Sequence, residues 1–126
     1  MKNTTIALIA HDGKKEELVD FVLRHQEWFS GFDLVGTGTT GGRIASKGIA
    51  IECLASGPLG GDAQIAARIT EGEVHAVIFF RDPMGKHPHE PDINMLLRQC
   101  DVHNIPLATN PATAQLLAGN KAFERG

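Results

Sequence analysis

The chain has 126 residues, the usual size of one domain, with 42% hydrophobic and 21% charged residues and a net charge of -3. That charge leaves no basic footprint for nucleic acid or a membrane surface. The longest apolar runs, IALIA and AVIFF among them, fall far short of the ~20 residues that a membrane span needs, and the apolar start within MKNTTIALIAHD is too short for a signal peptide. Cys53 and Cys100 sit far apart in apolar runs and are expected as buried free thiols of a reducing compartment, not as a disulfide.

In chain order, TTIALIA (4–10) is a short apolar run that reads as a buried strand. KKEELVDFVLRHQEWF (14–29) follows as one amphipathic helix, with Leu18, Phe21, Val22 and His25 on one side. FDLVGTG (32–38) is a second strand that runs out in glycines, and TGGRIASKG (40–48) fits a short helix closed by Gly48. IAIECLA (49–55) is a third strand, and DAQIAARITEG (62–72) a helix with Ile65, Ala66 and Ile69 at helical spacing, closed by Gly72. HAVIFF (75–80) is the most apolar strand. PDINMLLRQCDVHN (91–104) sets Ile93, Leu96, Leu97 and Cys100 at i, i+3, i+4 and i+7 of a helix. IPLAT (105–109) is a last strand and PATAQLLAG (111–119) a last helix opened by proline. No repeat, low-complexity tract or linker interrupts the series, so residues 1–126 read as one domain. Alternating strands and helices imply an α/β domain, with a mostly parallel central sheet and helices on both faces. Strands buried on both sides then read as continuous apolar runs.

In such folds ligands bind outside the carboxyl ends of the strands. Polar, glycine-rich residues gather there: AHDGKK after the first strand, GTGTTGG after the second, SGPLGGD after the third, RDPMGKHPHEPD after the fourth and TNPAT after the fifth. GTGTTGG (36–42) suits an anion cradle, because amides at a helix N-terminus point at the ligand and the dipole favours negative charge. Thr37, Thr39 and Thr40 add hydroxyls, and Gly38 permits close backbone approach. No Gly-Lys-Ser/Thr follows, so this is not a Walker A loop, and Gly36, Gly38 and Gly41 fit a dinucleotide fingerprint only loosely. A plain glycine-rich turn with a Thr N-cap is the alternative. Lys15, four residues past His11, can reach back across the strand ends to a phosphate, or lie solvated as expected for Lys14. His11 and Asp12 follow the first strand directly, where a histidine is ordinarily a structural hydrogen-bonding partner. His25 reads as packing, His103 as a complement to a helix C-terminus, and His75 carries no signal.

Prolines hold HPHEPD (87–92) extended and keep His89 out of a helix, while Asp92 is a candidate N-cap for the helix that follows. His-x-His with carboxylates but no further spaced ligands is a weak zinc pattern, so no metal is expected. Asp62 heads an apolar helical run and reads as an N-cap, whose accepted N–H bonds favour an ionised carboxylate able to act as a base. Asp82, before Pro83, stands at another strand end. Asp62, Asp82 and Asp92 thus share one sheet edge, and carboxylates in differing environments are how acid and base roles separate. A phosphate cradle, a lysine, two histidines and three aspartates, with no Ser–His–Asp or cysteine nucleophile pattern, suit proton abstraction beside a carbonyl on a small phosphorylated substrate.

The stretches ALIAHDGKK, GTGTTGGRI, SGPLGGDAQI, VIFFRDP, PHEPDI and PLATNPATA occur in that order between Ala7 and Ala114, and together they resemble the methylglyoxal synthase family. TGTTG, SGPLGGD and PHEPD in one chain are specific to it. The resemblance implies a doubly wound, Rossmann-like fold and a carbon–oxygen lyase. Such an enzyme converts dihydroxyacetone phosphate into methylglyoxal and inorganic phosphate through an ene-diol(ate) phosphate, bypassing part of glycolysis. It also implies no metal or organic cofactor, a cytoplasmic homo-oligomer, typically a hexamer, and inhibition by phosphate. Carried onto this chain, the resemblance makes Asp62 the catalytic base, His89 the group that polarises the substrate carbonyl and Asp92 a second active-site carboxylate. His11, Lys15, Thr37, Gly38, Thr39, Thr40, Ser56 and Gly57 become substrate- and phosphate-binding positions, with Asp12 and Asp82 supporting. In longer members a C-terminal arginine reaches a neighbouring subunit's phosphate site, and Arg125 is only a loose counterpart. Two rivals share the pattern. A regulatory ligand-binding domain, as in carbamoyl phosphate synthetase, is expected to lack the catalytic carboxylate. A sugar-phosphate isomerase shares the ene-diolate.

Overall fold

Alternation along β1 (Thr5–Ala10) sends Ile6, Leu8 and Ala10 to one face and Ala7 and Ile9 to the other, and all five are at most 5% exposed. A strand buried on both faces needs a layer on each. The computed structural model, which describes residues 4–56, 59–85 and 93–119, places β1 at the centre of such a sandwich. Five parallel strands run in the order β3–β2–β1–β4–β5, with β2 at Asp33–Thr37, β3 at Glu52–Leu54, β4 at Ala76–Phe80 and β5 at Leu107–Ala108. On one face, α1 (Lys15–Arg24), α2 (Gln26–Phe29), α3 (Gly38–Ala45) and α6 (Pro111–Leu117) bury Leu18, Phe21, Phe29, Ile44 and Ala114 against Ile6, Leu8, Ile78 and Phe80. On the other, α4 (Gly61–Thr70) and α5 (Ile93–Val102) bury Ile65, Ile69, Leu96 and Cys100 against Ile9, Val77 and Phe79. Each such side chain contributes roughly 1.5–3 kcal/mol on burial.

The chain steps outward from β1 to β2 to β3, then crosses back to lay β4 on the other side of β1. The strand order therefore reverses between β1 and β4. At such a reversal the connections leave in opposite directions, and a crevice opens at the carboxyl ends. Because all strands are parallel, the ends of β1 to β5 lie along one edge.

Several elements differ from the sequence expectation. The helix expected over 14–29 is instead a 3-10 turn at Asp12–Lys14, then α1, then a break at His25 before α2. His25 tilts over Phe21 at 4.5 Å and lies 3.0 Å from Gln115 Oε1 of α6 through Nε2. The break re-aims Phe29 onto Phe21 and Trp28 onto Phe32. The strand expected over 49–55 shrinks to three residues, with Glu52 and Cys53 exposed, because β3 is an edge strand paired only with β2. Cys53 is therefore not the buried thiol expected, whereas Cys100 is. On α5 the buried positions are Leu96 and Cys100, with Leu97 half-buried. The last helix does open on Pro111, capped by Asn110, whose Oδ1 accepts from Thr113 N at 2.9 Å. Among the described residues no helix is long and apolar enough to cross a membrane.

Candidate active site

The reversal point is held together by His11. Its backbone N–H donates to Phe80 O at 3.1 Å, extending the β1–β4 ladder one residue past the strand. Its ring is 4% exposed, meets Phe79 edge-on at 5.1 Å, and accepts the Asp82 N–H at Nδ1 over 2.9 Å. Asp82 Oδ1 accepts from Met84 N at 3.1 Å, and a Cβ on Gly13 would come within 2.6 Å of Asp82 Oδ2. Gly13 is thus the residue that lets the turn after β1 lie against the Asp82 carboxylate. One turn on, Lys15 Nζ sits 2.6 Å from Asp12 Oδ1. The lysine side chain is 16% exposed and the aspartate 74%, so the ammonium is held in against the fold by an outer carboxylate. His11, Asp12, Lys15 and Asp82 are one contiguous group.

A second group forms at the ends of β2 and β3. Thr37 closes β2 in the N-cap position of α3, buried, with no side-chain bond to the helix it precedes. The alternative reading of a Thr cap is thus met in position but not in a side-chain hydrogen bond. Gly38 follows at φ +43°, and a Cβ there would come within 2.7 Å of Ser56 Cα and Cβ, so only glycine lets the α3 N-terminus touch Ser56. Thr39 is exposed, while Thr40 is 0% exposed with its Oγ1 lacking a hydrogen-bond partner among the described residues. Such a buried hydroxyl costs about 1–3 kcal/mol unless an acceptor or donor arrives.

Asp62 is not the N-cap expected from sequence. Gly60 takes that position at φ +99°, a left-handed conformation that favours glycine, and Asp62 is the second helical residue, half-buried. Asp62 Oδ1 accepts from Ala63 N at 2.9 Å. The loop before it is tied by Leu59 N and Gly61 N to Ser56 O, at 3.0 and 2.8 Å. Gln64 Oε1 accepts from Ala55 N at 2.9 Å, closing the loop from the helix side. A Cβ on Gly61 would overlap Ala55 O. Gln64 carries no titratable or nucleophilic group, so sequence reasoning passed over it.

The two groups lie on the same carboxyl edge, from β3 to β4, a span of roughly 15 Å at the usual inter-strand spacing. Gly57, His89 and Asp92 lie outside the described residues, as does Arg125. Among the described residues no cluster of three His, Cys, Asp or Glu could hold a metal ion. The opposite, amino edge carries a cleft lined by Asp33, Glu52, Arg68, Glu73 and His75, whose acids make it a poor receptor for a phosphate ester. There Arg68 grips Glu52 through two bonds of 2.8 and 2.6 Å, which hold the Glu52 carboxyl below its ordinary range. His75, which carried no signal in the sequence, accepts Thr5 N at Nδ1 over 3.0 Å and pins the start of β1. The carboxyl edge, with an inward-held ammonium, a buried hydroxyl without a partner among the described residues, a helix N-terminus and a first-turn carboxylate, is the edge equipped for anion binding and proton transfer.

Residues 17–109 match the family profile described as an MGS-like domain. The methylglyoxal synthase of Cupriavidus taiwanensis is 55% identical over 122 residues, 96% of this chain and 92% of the relative. That of Moorella thermoacetica is 58% identical over 112 residues, 88% of each chain. The crystal structure of methylglyoxal synthase from Elizabethkingia anophelis NUHP1 superposes with a TM-score of 0.93 at 41% identity, covering 97% of this chain and 81% of the other. Profile, relatives and fold agree over most of the chain, which belongs to the methylglyoxal synthase family of enzymes.

Proposed function

We propose that this chain, acting as one domain over residues 1–126, converts dihydroxyacetone phosphate into methylglyoxal and inorganic phosphate. The observation that carries the reading is the convergence at the β1–β4 reversal point of His11, the Asp82 turn and the Lys15 ammonium, beside the α3 N-terminus. Lys15, Thr37, Gly38, Thr39, Thr40, Ser56 and Gly57 hold the phosphate ester, with Thr40 Oγ1 supplying the buried hydroxyl. Asp62 removes a proton from the hydroxymethyl carbon, on the far side of the carbonyl from the ester. Only there is the new electron pair conjugated through the ene-diolate with the C–O bond that must break. His11 and His89 bind the oxygens on which charge develops, and preorganised donors at such oxygens are commonly the largest single contribution to catalysis. The C–O bond then breaks, phosphate leaves with the electron pair, and the released enol takes up a proton at carbon to become methylglyoxal. The sum is one substrate to two products, with no oxidant, water or cofactor consumed. Asp92 moves a proton between substrate oxygens, and Asp12 and Asp82 hold Lys15 and His11 in place. As the resemblance implies, the working form is a cytoplasmic homohexamer that its product phosphate inhibits.

The purified protein incubated with dihydroxyacetone phosphate is expected to release methylglyoxal and phosphate in equal amounts. Asp62→Asn is expected to lower kcat by roughly 10²–10⁴-fold, the usual contribution of a general base, with circular dichroism and phosphate binding unchanged. Release of neither product, or formation of glyceraldehyde 3-phosphate in their place, overturns the reaction. Near-normal turnover by Asp62→Asn removes that residue from the role of base.

A further inference from the structure

The Asp82 N–H is a donor only, so the His11 Nδ1 that faces it at 2.9 Å presents a lone pair. In a neutral imidazole one nitrogen accepts and the other carries the proton. The proton of His11 is therefore on Nε2. Rotating the ring by half a turn would set a C–H against the Asp82 N–H, so the same bond also fixes which way the ring faces. A second proton on Nδ1 would set two hydrogens against each other and break the bond.

The lock is built from several elements. The ring is 4% exposed and edge-on to Phe79, so it cannot swing aside without opening the core. The peptide that donates is held on both sides. Arg81 N donates to Thr109 O at 3.2 Å, and Asp82 closes its own turn by accepting Met84 N at Oδ1 and Gly85 N at its carbonyl, at 3.1 and 3.2 Å. Among the described residues the charged groups next to it are the Asp82 carboxylate, which lies against Gly13, and the Asp12–Lys15 pair one turn on.

We infer that the Asp82 peptide holds His11 as a neutral imidazole protonated at Nε2, so that His11 serves the reaction as a hydrogen-bond donor to a substrate oxygen and is excluded as its base. The inference rests on the proposed reading for the contact between His11 and substrate, and on the hydrogen bond alone for the tautomer. Asp82 is then a positioning residue acting through its main chain. A neutral imidazole polarises an oxygen without passing it a full proton, the role a histidine kept neutral by its surroundings plays in triosephosphate isomerase. The work of proton removal falls to a carboxylate.

Nitrogen-15 NMR of the wild-type protein at pH 7.5 tests the tautomer. The ring is identified by scalar coupling across the hydrogen bond from the Asp82 amide nitrogen, without need of a variant. The expected spectrum has His11 Nε2 protonated and Nδ1 bare. A proton on Nδ1 overturns the inference. In His11→Asn the amide oxygen takes the place of Nδ1, so the bond to Asp82 N–H survives while the donor is lost. Its kcat is expected to fall about 10²–10³-fold, the cost of one oxyanion-binding donor, with both limbs of the kcat/KM pH profile kept. Loss of a limb would mean that His11 itself titrates as the base, and overturns the inference. A wild-type protein that forms no methylglyoxal sinks the proposed reaction but leaves the ring spectrum to decide the tautomer.

Discussion

Lys15 reaches the strand ends already paired. Its ammonium is drawn in by an aspartate that is itself mostly in water, so the pair contributes little to stability, at most about 1 kcal/mol for an exposed ion pair. In the proposed reading its value is positional, since a phosphate entering the site would find the charge already in place. Lys15→Met is expected to raise KM for dihydroxyacetone phosphate by roughly 10- to 100-fold, the equivalent of a charged hydrogen bond of about 1.5–3 kcal/mol, with a smaller effect on kcat. An unchanged KM would take Lys15 out of the phosphate site. At this scale the local reading and the fold part company at two residues. His11 looked structural and is structural at one nitrogen, which is what leaves the other nitrogen with a single defined role. Asp62 looked like a cap, yet Gly60 holds that position because a left-handed residue is needed to turn the loop into α4.

At the scale of elements, α4 and the loop before it act as one piece. Ser56 O ties the loop, Gln64 ties the helix back to Ala55, and Gly61 lies so close to Ala55 O that no side chain fits. Gly60 has open space around its Cα hydrogens and needs only its backbone conformation. The two glycines therefore separate two effects. Gly60→Ala carries only the left-handed penalty of about 1–2 kcal/mol. Gly61→Ala must push main chain apart, at about 1–3 kcal/mol for overpacking, and in doing so moves Asp62. Thermal unfolding is expected to show both variants destabilised, whereas kcat falls at least tenfold more in Gly61→Ala. Equal kcat values would show that loop closure does not position Asp62.

At the scale of the whole molecule, strand order decides which residues meet and which face water. β1 and β4 become neighbours although 70 residues separate Thr5 from His75, and the reversal between them places His11 against Asp82. β3 is left at the edge, and Cys53 with it is exposed, while Cys100 is buried on α5 with its thiol pushed up to about 11 by desolvation and by Asp101. The thiolate is the reactive form. Iodoacetamide at pH 8 is therefore expected to modify Cys53 alone in the native protein, and both thiols after denaturation, as read by intact mass. Rapid modification of Cys100 in the native state would contradict its packing between α5 and the sheet.

Local sequence was enough to specify the alternation of strands and helices, the two-faced burial of the central strands and the edge on which polar and glycine-rich loops collect. Periodicity and turn chemistry are local, and they can be read from a dozen residues at a time. It also identified its family through three loop motifs. It took long-range packing to make β3 an exposed edge, to break the long first helix at His25 and to set a main-chain amide from the end of β4 against the ring of a histidine from the end of β1. Those outcomes depend on the side of β1 to which the chain returns after β3, a choice made by long-range pairing and packing. No residue carries that information within its own stretch of chain.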